Sequence, residues 1–458
     1  MNRSALAFGV GLLLSAGVSG AAEITALTVR QQWPWQAIIN VDYTLRVDDG
    51  ESVDVEIAAS AETGTVVLPS EAIRGRRIGI SASGDYRMTI DPSKLNMADR
   101  KVLGNFQVTL TAKPARTDAD LALYRIYSLT GDKKVTDVTV RALLEGEWGD
   151  IETDYSFAGP YEAPAGTIVW TGVTNDMYKT DKLVMRYCPA GSFGLCANLR
   201  ASVTATLSAP YYIGVFEMTQ KQVSYIDANF TRAQGNGGGP RYTVDGDTRP
   251  MENITMICVR GSNGAKYPEV YDMGPSTYIG MLRSLTGCTT FDLPTEARWE
   301  YAARAGTSTW WNNGGTDNNT SGKTNPEARK LARLKHNGGL QPEAYTACYG
   351  TDATTDCATA PVGSYLPNAW GIYDAHGNVS EMCLDRFVTT ANLTTYYGAT
   401  VTDPTGGDTT YNLKKHVAKG GSFADGVGQL SIDKREEMTT DSVDGNGKLG
   451  FRVICEAE

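Results

Sequence analysis

The residues best suited to chemistry gather between Asn368 and Phe387, in NAWGIYDAHGNVSEMCLDRF. Asp374 and Glu381 flank a Gly377-Asn378 step there, with aromatic residues on one side and Cys383 just beyond. Gly and Asn tolerate positive φ, so the chain can bend tightly between the two acids. Such a bend brings carboxylates and backbone carbonyls to one point, the donor set that a hard cation such as calcium takes. The other reading of the same residues has Asp374 capping a turn and Glu381 pairing with Arg386 or Arg452.

Thiols are the second source of chemistry. All eight cysteines follow residue 187: Cys188, Cys196, Cys258, Cys288, Cys348, Cys357, Cys383 and Cys455. An even count in an exported chain points to disulfides. The spacing suggests Cys188/Cys196 and Cys348/Cys357 as short staples, and Cys383/Cys455 as a longer pairing. No C-x-x-C spacing occurs, which argues against structural zinc. Only His336, His376 and His416 could supply imidazole.

Export is read from the first 22 residues. Arg3 precedes an apolar run from Ala5 to Leu14, and small residues from Val18 to Ala22 offer a cleavage region. The run is too short to span a bilayer, and no later segment is long enough. A secreted, periplasmic or cell-surface protein is therefore expected. The net charge of −10 and pI near 5.1 argue against phosphate-neutralising contacts, so no nucleic-acid partner is expected. At 458 residues, with 41% hydrophobic and 21% charged side chains, the chain should fold as two domains.

Residues 23–159 read as strands. Ile39, Val41, Tyr43, Leu45 and Val47 alternate with polar residues, and the pattern recurs at Val53, Val55 and Ile57, at Tyr86, Met88 and Ile90, and at Phe106, Val108 and Leu110. Asp49-Gly50, Gly84-Asp85 and Gly131-Asp132 punctuate these runs, the pattern of an antiparallel β-sandwich. Trp33-Pro34-Trp35 should pack at the entry to its second strand. Residues 160–181, opening on Gly159-Pro160, form a linker and lead-in. Residues 182–458 mix strands, loops and helices, an α+β domain. Thr219 and Gln222 have capping-box spacing. Pro275 to Leu285 predicts a helix stopped by Gly287. A third helix starts at Pro294-Thr295, carries a Glu300–Arg304 pair and stops at Gly306.

The second half resembles the formylglycine-generating enzyme family, the sulfatase-modifying factor domain. The matching pieces come in the family's order: LVMRYCPAGSF (183–193), YYIGVFEMTQKQV (211–223), RPMENIT (249–255), LPTEARWEYAARAG (293–306), APVGSYLPNAWGIYDAHGNVSE (360–381), KGGSF (419–423) and LGFRV (449–453). The resemblance implies a compact, loop-rich C-type-lectin-like fold. It also implies an oxidase that converts a sulfatase cysteine to formylglycine with a copper-binding cysteine pair between the GGS and GFR pieces. Here the interval from Phe423 to Leu449 contains no cysteine, so copper is not expected. The resemblance further implies a calcium site made by the Asp374 side chain, the Gly377 and Val379 carbonyls and the Glu381 side chain, and a second one between Asn337 and Cys357. Ser380 and Met382 stand where the family usually has tryptophans.

Together these features predict an exported, non-catalytic binding or structural protein whose partner is an unknown protein or carbohydrate. Two alternatives stand beside it. One is a protein-modifying oxidase working through unfamiliar ligands. The other is a calcium-dependent carbohydrate-binding module, with loops 423–448 as its surface and Trp310, Trp311, Tyr396 and Tyr397 as stacking faces.

Overall fold

A computed structural model describes residues 22–31, 38–62, 64–69, 72–95, 105–199, 203–228, 240, 243, 246–264, 267, 273–317, 325–335, 337, 358–406, 415–440 and 447–457. Among the described residues, no helix is long and apolar enough to cross a membrane. The export segment, Trp33-Pro34-Trp35, His336, Cys348, Cys357 and nearly all of the second calcium region lie outside them. The chain divides into two units.

The first unit comprises residues up to Leu123, Val138–Thr153 and Trp170–Gly172. One antiparallel sheet runs in the order Ala22–Gln31, Ile39–Val47, Gly84–Ile90, Ile73–Arg74; another runs Gly64–Val66, Val53–Ala61, Gln107–Pro114. Period-2 alternation dictates which side chains go inward. Val41, Tyr43, Leu45 and Met88 from the first sheet join Val53, Val55, Val108 and Leu110 from the second in one apolar cluster. Tyr86 departs from its predicted place: it is only half-buried and stacks on Tyr43 at 5.7 Å.

The second unit holds Tyr124–Asp137, Asp154–Val169 and Val173–Glu458. The hairpin strands Ala122–Ser128 and Val135–Thr139 thus lie mostly in the second unit, although their sequence falls within 23–159. They form one side of a five-stranded sheet that continues through Lys182–Cys188, Tyr211–Gly214 and Ile454–Glu456. A four-stranded sheet runs Glu436–Thr439, Lys415–Lys419, Ser380–Arg386, Leu449–Gly450, its last pair parallel. This unit mixes strands with short helices.

Local capping sets the helix limits. Thr219 and Gln222 close a reciprocal capping box on Gln220–Ile226. Thr277 accepts from the Gly280 amide and starts Tyr278–Thr286, so Pro275 precedes the helix rather than opening it; Gly287 at φ 77 ends it. Thr295 caps Glu296–Arg304, whose left-handed stop is Ala305 at φ 45, one residue before Gly306. The apolar residues Ala297, Trp299, Ala302 and Ala303 of that helix are buried. So are Glu296, Glu300 and Arg304. Charges buried on a helix need partners, and those partners define the site.

Candidate functional site

The 368–387 stretch is anchored at its start by Asn368. Its amide donates to the Ala302 and Ala303 carbonyls at 2.8 and 3.0 Å, fixing the turn to the end of the Glu296–Arg304 helix. Asp374, Gly377 and Asn378 all take positive φ (56°, 73° and 61°), so the chain does bend as its Gly-Asn step suggests. Gly377 is obligatory here, because a Cβ would lie 2.1 Å from the Arg333 carbonyl oxygen.

The bend places Asp374 and Glu381 in the buried interior, where a third acid joins them. Asp374 Oδ2 accepts from the Gly363 amide at 2.7 Å. Glu381 takes both arms of Arg452, Nη2 at 2.6 Å and Nε at 2.9 Å, and also accepts from Trp299 Nε1 at 2.7 Å. The remaining Arg452 donors go to the Gly214, Val215 and Tyr373 carbonyls. The third acid, Glu217, is one that the spacing of 368–387 cannot reveal. It follows the Tyr211–Gly214 strand and accepts from Asn378 Nδ2 at 2.6 Å and the Val379 amide at 3.0 Å.

Electrostatics sharpen the picture. Burial pushes Asp374 up to about 6, with the Glu381 carboxylate adding to the rise while Gly363 and Arg452 oppose it. Burial, then Asp374 and Glu381, drive Glu217 well above the usual carboxylate range. Of the predicted side-chain donors, Asp374 and Glu381 are both buried and close enough to influence each other, and Glu381 is committed to Arg452. Arg386, the other proposed partner of Glu381, pairs across the sheet with His416. Only Glu381 is in contact with the Arg452 guanidinium; Asp374 and Glu217 feel its charge from farther off, and Lys179 is a weaker positive influence on Asp374. Buried carboxyl oxygens are donors that suit a hard cation, whose charge would oppose the burial that raises Asp374 and Glu217.

A second constellation lies on the inward face of the Glu296–Arg304 helix. Lys419 Nζ sits 2.8 Å from Glu300 and 3.7 Å from Glu296. Arg304 Nη2 bridges Glu300 at 2.8 Å and Asp433 at 2.6 Å. Arg435 Nη2 reaches Glu296 at 2.8 Å. Burial works against the Lys419 charge, yet Glu300 holds its pKa above the ordinary lysine value. Burial and Glu296 push Asp385 up to about 7. Cys196, Glu296 and Glu300 place potential ligand atoms within 4.8 Å of one another. The Lys419 ammonium already fills the cation's role there, so a metal does not fit. Asp433 and Arg435 belong to the interval between the GGS and GFR pieces, where the family resemblance implies thiols. They serve instead as charged ties to the helix.

The described cysteines stand as separate thiols. Cys188 and Cys196 are not bridged: the Cys188 thiol faces the Arg186 carbonyl, while Cys196, at φ 53, turns its thiol toward Glu300. Cys383 and Cys455 are not bridged either, because they belong to different apolar clusters. Cys383 packs with Trp299 and Ile432; Cys455 packs with Tyr127 and Phe291. His376 is a neutral structural residue: burial lowers it to about 4, Leu430 takes its Nδ1 and the Asn312 amide donates to Nε2. The proposed sugar-stacking faces are packing residues in part. Trp311 is buried against His376, and the half-buried Tyr396 and Tyr397 pack edge to face at 4.6 Å, with the Tyr397 hydroxyl on Asp385.

The family description "Sulfatase-modifying factor enzyme 1-like domain" matches residues 174–457, more than half of the chain. The chain belongs to this family. A formylglycine-generating enzyme from Streptomyces coelicolor is 35% identical over 170 residues, covering 36% of this chain and 47% of that protein. The chaperone protein LppX of Paenibacillus barcinonensis is 28% identical over 221 residues, covering 44% of this chain and 71% of that one. The formylglycine-generating enzyme of Mus musculus is 30% identical over 36% of this chain and 39% of its own. The matched stretch thus spans less than half the length of either formylglycine-generating enzyme. Two solved structures are similar, each with a TM-score of 0.42 and 21% identity over 60% of this chain. They are Treponema denticola variable protein 1, covered over 96%, and PvdO from Pseudomonas aeruginosa, covered over 95%.

Proposed function

We propose that this chain uses its sulfatase-modifying-factor domain as a binding or structural module, not as a copper oxidase. One observation carries the reading. The interval in which the resemblance implies a copper-holding thiol pair has no cysteine, and its Asp433 and Arg435 are built into a buried ion network with Arg304 and Glu296. Soft copper takes a pair of thiolates, and this network offers a single thiol, Cys196, among carboxylates and cations. The described cysteines nearest in sequence, Cys383 and Cys455, are both deeply buried, which supports no transfer of the chemistry to them. The test is a copper-loading experiment with a cysteine-containing sulfatase peptide, in which the peptide should keep its thiol.

The reading includes calcium as a structural ion in the 368–387 bend. Asp374 would be the principal carboxylate, the Gly377 and Val379 carbonyls further donors, and Glu217 a nearby negative charge; Glu381 would contribute only beside its Arg452 pairing. The Val379 amide and Asn378 side chain both donate to Glu217, which favours an ionised acid, while burial opposes it. A cation in the pocket would resolve that conflict. Scanning calorimetry with calcium and then with chelator checks it: calcium should raise the melting temperature, and an unchanged midpoint would remove the ion from the account.

Export, a two-sheet sandwich in the first unit and a C-type-lectin-like second unit complete the proposal. The single apolar cluster shared by the two N-terminal sheets supports the sandwich.

A further inference from the structure

The C-terminal strand runs beside the segment that follows the Tyr278–Thr286 helix. Asp292 and Ile454 exchange backbone hydrogen bonds, amide to carbonyl, at 3.0 and 2.8 Å. Two residues earlier, Thr290 Oγ1 accepts from the Glu456 amide at 3.2 Å and lies 3.4 Å from Cys288 Sγ. These contacts bring Cys288 and Cys455, far apart in sequence, to the same spot. The two thiols are close enough to perturb each other, and the Tyr127 hydroxyl lies 3.7 Å from Cys455 Sγ. The two environments differ. Cys455 is fully buried in the strand that pairs with Tyr211–Gly214, whereas Cys288 is only half-buried.

We propose that Cys288 and Cys455 are an oxidisable pair that closes into a disulfide, with Cys288 as the sulfur that meets the oxidant. The oxidant class is a low-molecular-weight or protein disulfide. The Cys288 thiolate attacks one of its sulfurs, forming a mixed disulfide and expelling one thiolate. Cys455, losing its proton to that leaving thiolate or to solvent, then attacks Cys288 Sγ and expels the second. Two protein thiols are oxidised and one external disulfide is reduced to two thiols. The contacts suit this order. The Cys455 thiol holds Cys288 down to about 5, with burial opposing, while Cys455 is raised far above an ordinary thiol by that same contact and by burial. A low, reachable thiol attacks first and a buried one resolves. Closing the bridge would tie the last strand to the segment after the helix, a constraint that neither Cys188/Cys196 nor Cys383/Cys455 would supply.

The experiment treats the purified full chain with oxidised glutathione, blocks remaining thiols with N-ethylmaleimide and maps tryptic peptides without reduction. Cleavage at Arg283, Arg298 and Arg452 leaves each cysteine alone in its peptide. The expected product joins residues 284–298 to the peptide beginning at Val453, disappears with dithiothreitol, and raises the melting temperature by roughly 5 °C or more over the reduced chain. Recovery of both peptides alkylated, or of Cys455 linked to any other cysteine, would overturn the proposal. Cys288→Ala keeps the test open if Cys455 variants fail to fold. Its Cys455 should remain reduced under the same oxidant, and the reductant-sensitive part of the melting shift should vanish. A shift of wild-type size in that variant would also overturn the pairing.

Discussion

At the residue scale, the domain rests on buried charges whose partners are few and fixed. Arg452 spends all its donors on Glu381 and three carbonyls, so removing it strands a carboxylate with 0% exposure. Arg452→Met should therefore destabilise the fold by about 3–5 kcal/mol, read from the urea midpoint. A loss below about 1 kcal/mol would mean that water reaches Glu381. Asp374 gives a pH signature. Its folded pKa, about 6, exceeds the 3.8 of an ordinary aspartate. The native state thus binds more protons than the unfolded state between those values, and this acid's contribution to stability falls as pH rises through that window. In chelator, the stability difference between wild type and Asp374→Asn should move in the variant's favour from pH 4 to 7. Calcium should reverse that trend by favouring the carboxylate. A difference that is flat with pH in chelator would show that Asp374 is not held as described.

At the element scale, the Glu296–Arg304 helix is the beam to which the site is attached. It receives Asn368 at its end and Lys419, Asp433 and Arg435 on its buried face. At its N-terminus the Thr295 hydroxyl accepts from the Arg298 amide, and the Asp385 carboxylate accepts from the Glu296 amide. Thr295→Ala should cost about 1 kcal/mol. Gly377→Ala should cost more, on the order of 3 kcal/mol, from positive φ and the collision with the Arg333 carbonyl together. Chemical denaturation of the two variants side by side checks the ranking. This scale is also where the sequence is most readable. Thr219 with Gln222, Gly287 and Glu300–Arg304 act through near neighbours, so their spacing predicts their contacts, whereas the Thr277 cap lies two residues past the Pro275 start that the sequence suggests. The Ala305 stop escapes such reading because Gly306 beside it is the better-suited residue.

At the scale of the whole molecule, what sequence spacing missed is what folding brings together from afar. Glu217 meets Asn378, Arg435 meets Glu296, and Cys288 meets Cys455 only after the sheets close. The pairing of cysteines by proximity in sequence fails for the same reason: Cys188 and Cys196 sit near each other along the chain but turn to different partners. The absence of thiols between Phe423 and Leu449, by contrast, is legible at once, and the structure adds what stands there instead. That substitution is the centre of the functional reading. Its most direct test is mass spectrometry of a cysteine-containing sulfatase peptide incubated aerobically with the full chain, a copper salt and a reductant. The peptide should keep its cysteine after prolonged incubation, while a formylglycine-generating enzyme run in parallel converts it. Enzyme-dependent appearance of the formylglycine aldehyde on that peptide would contradict the functional reading.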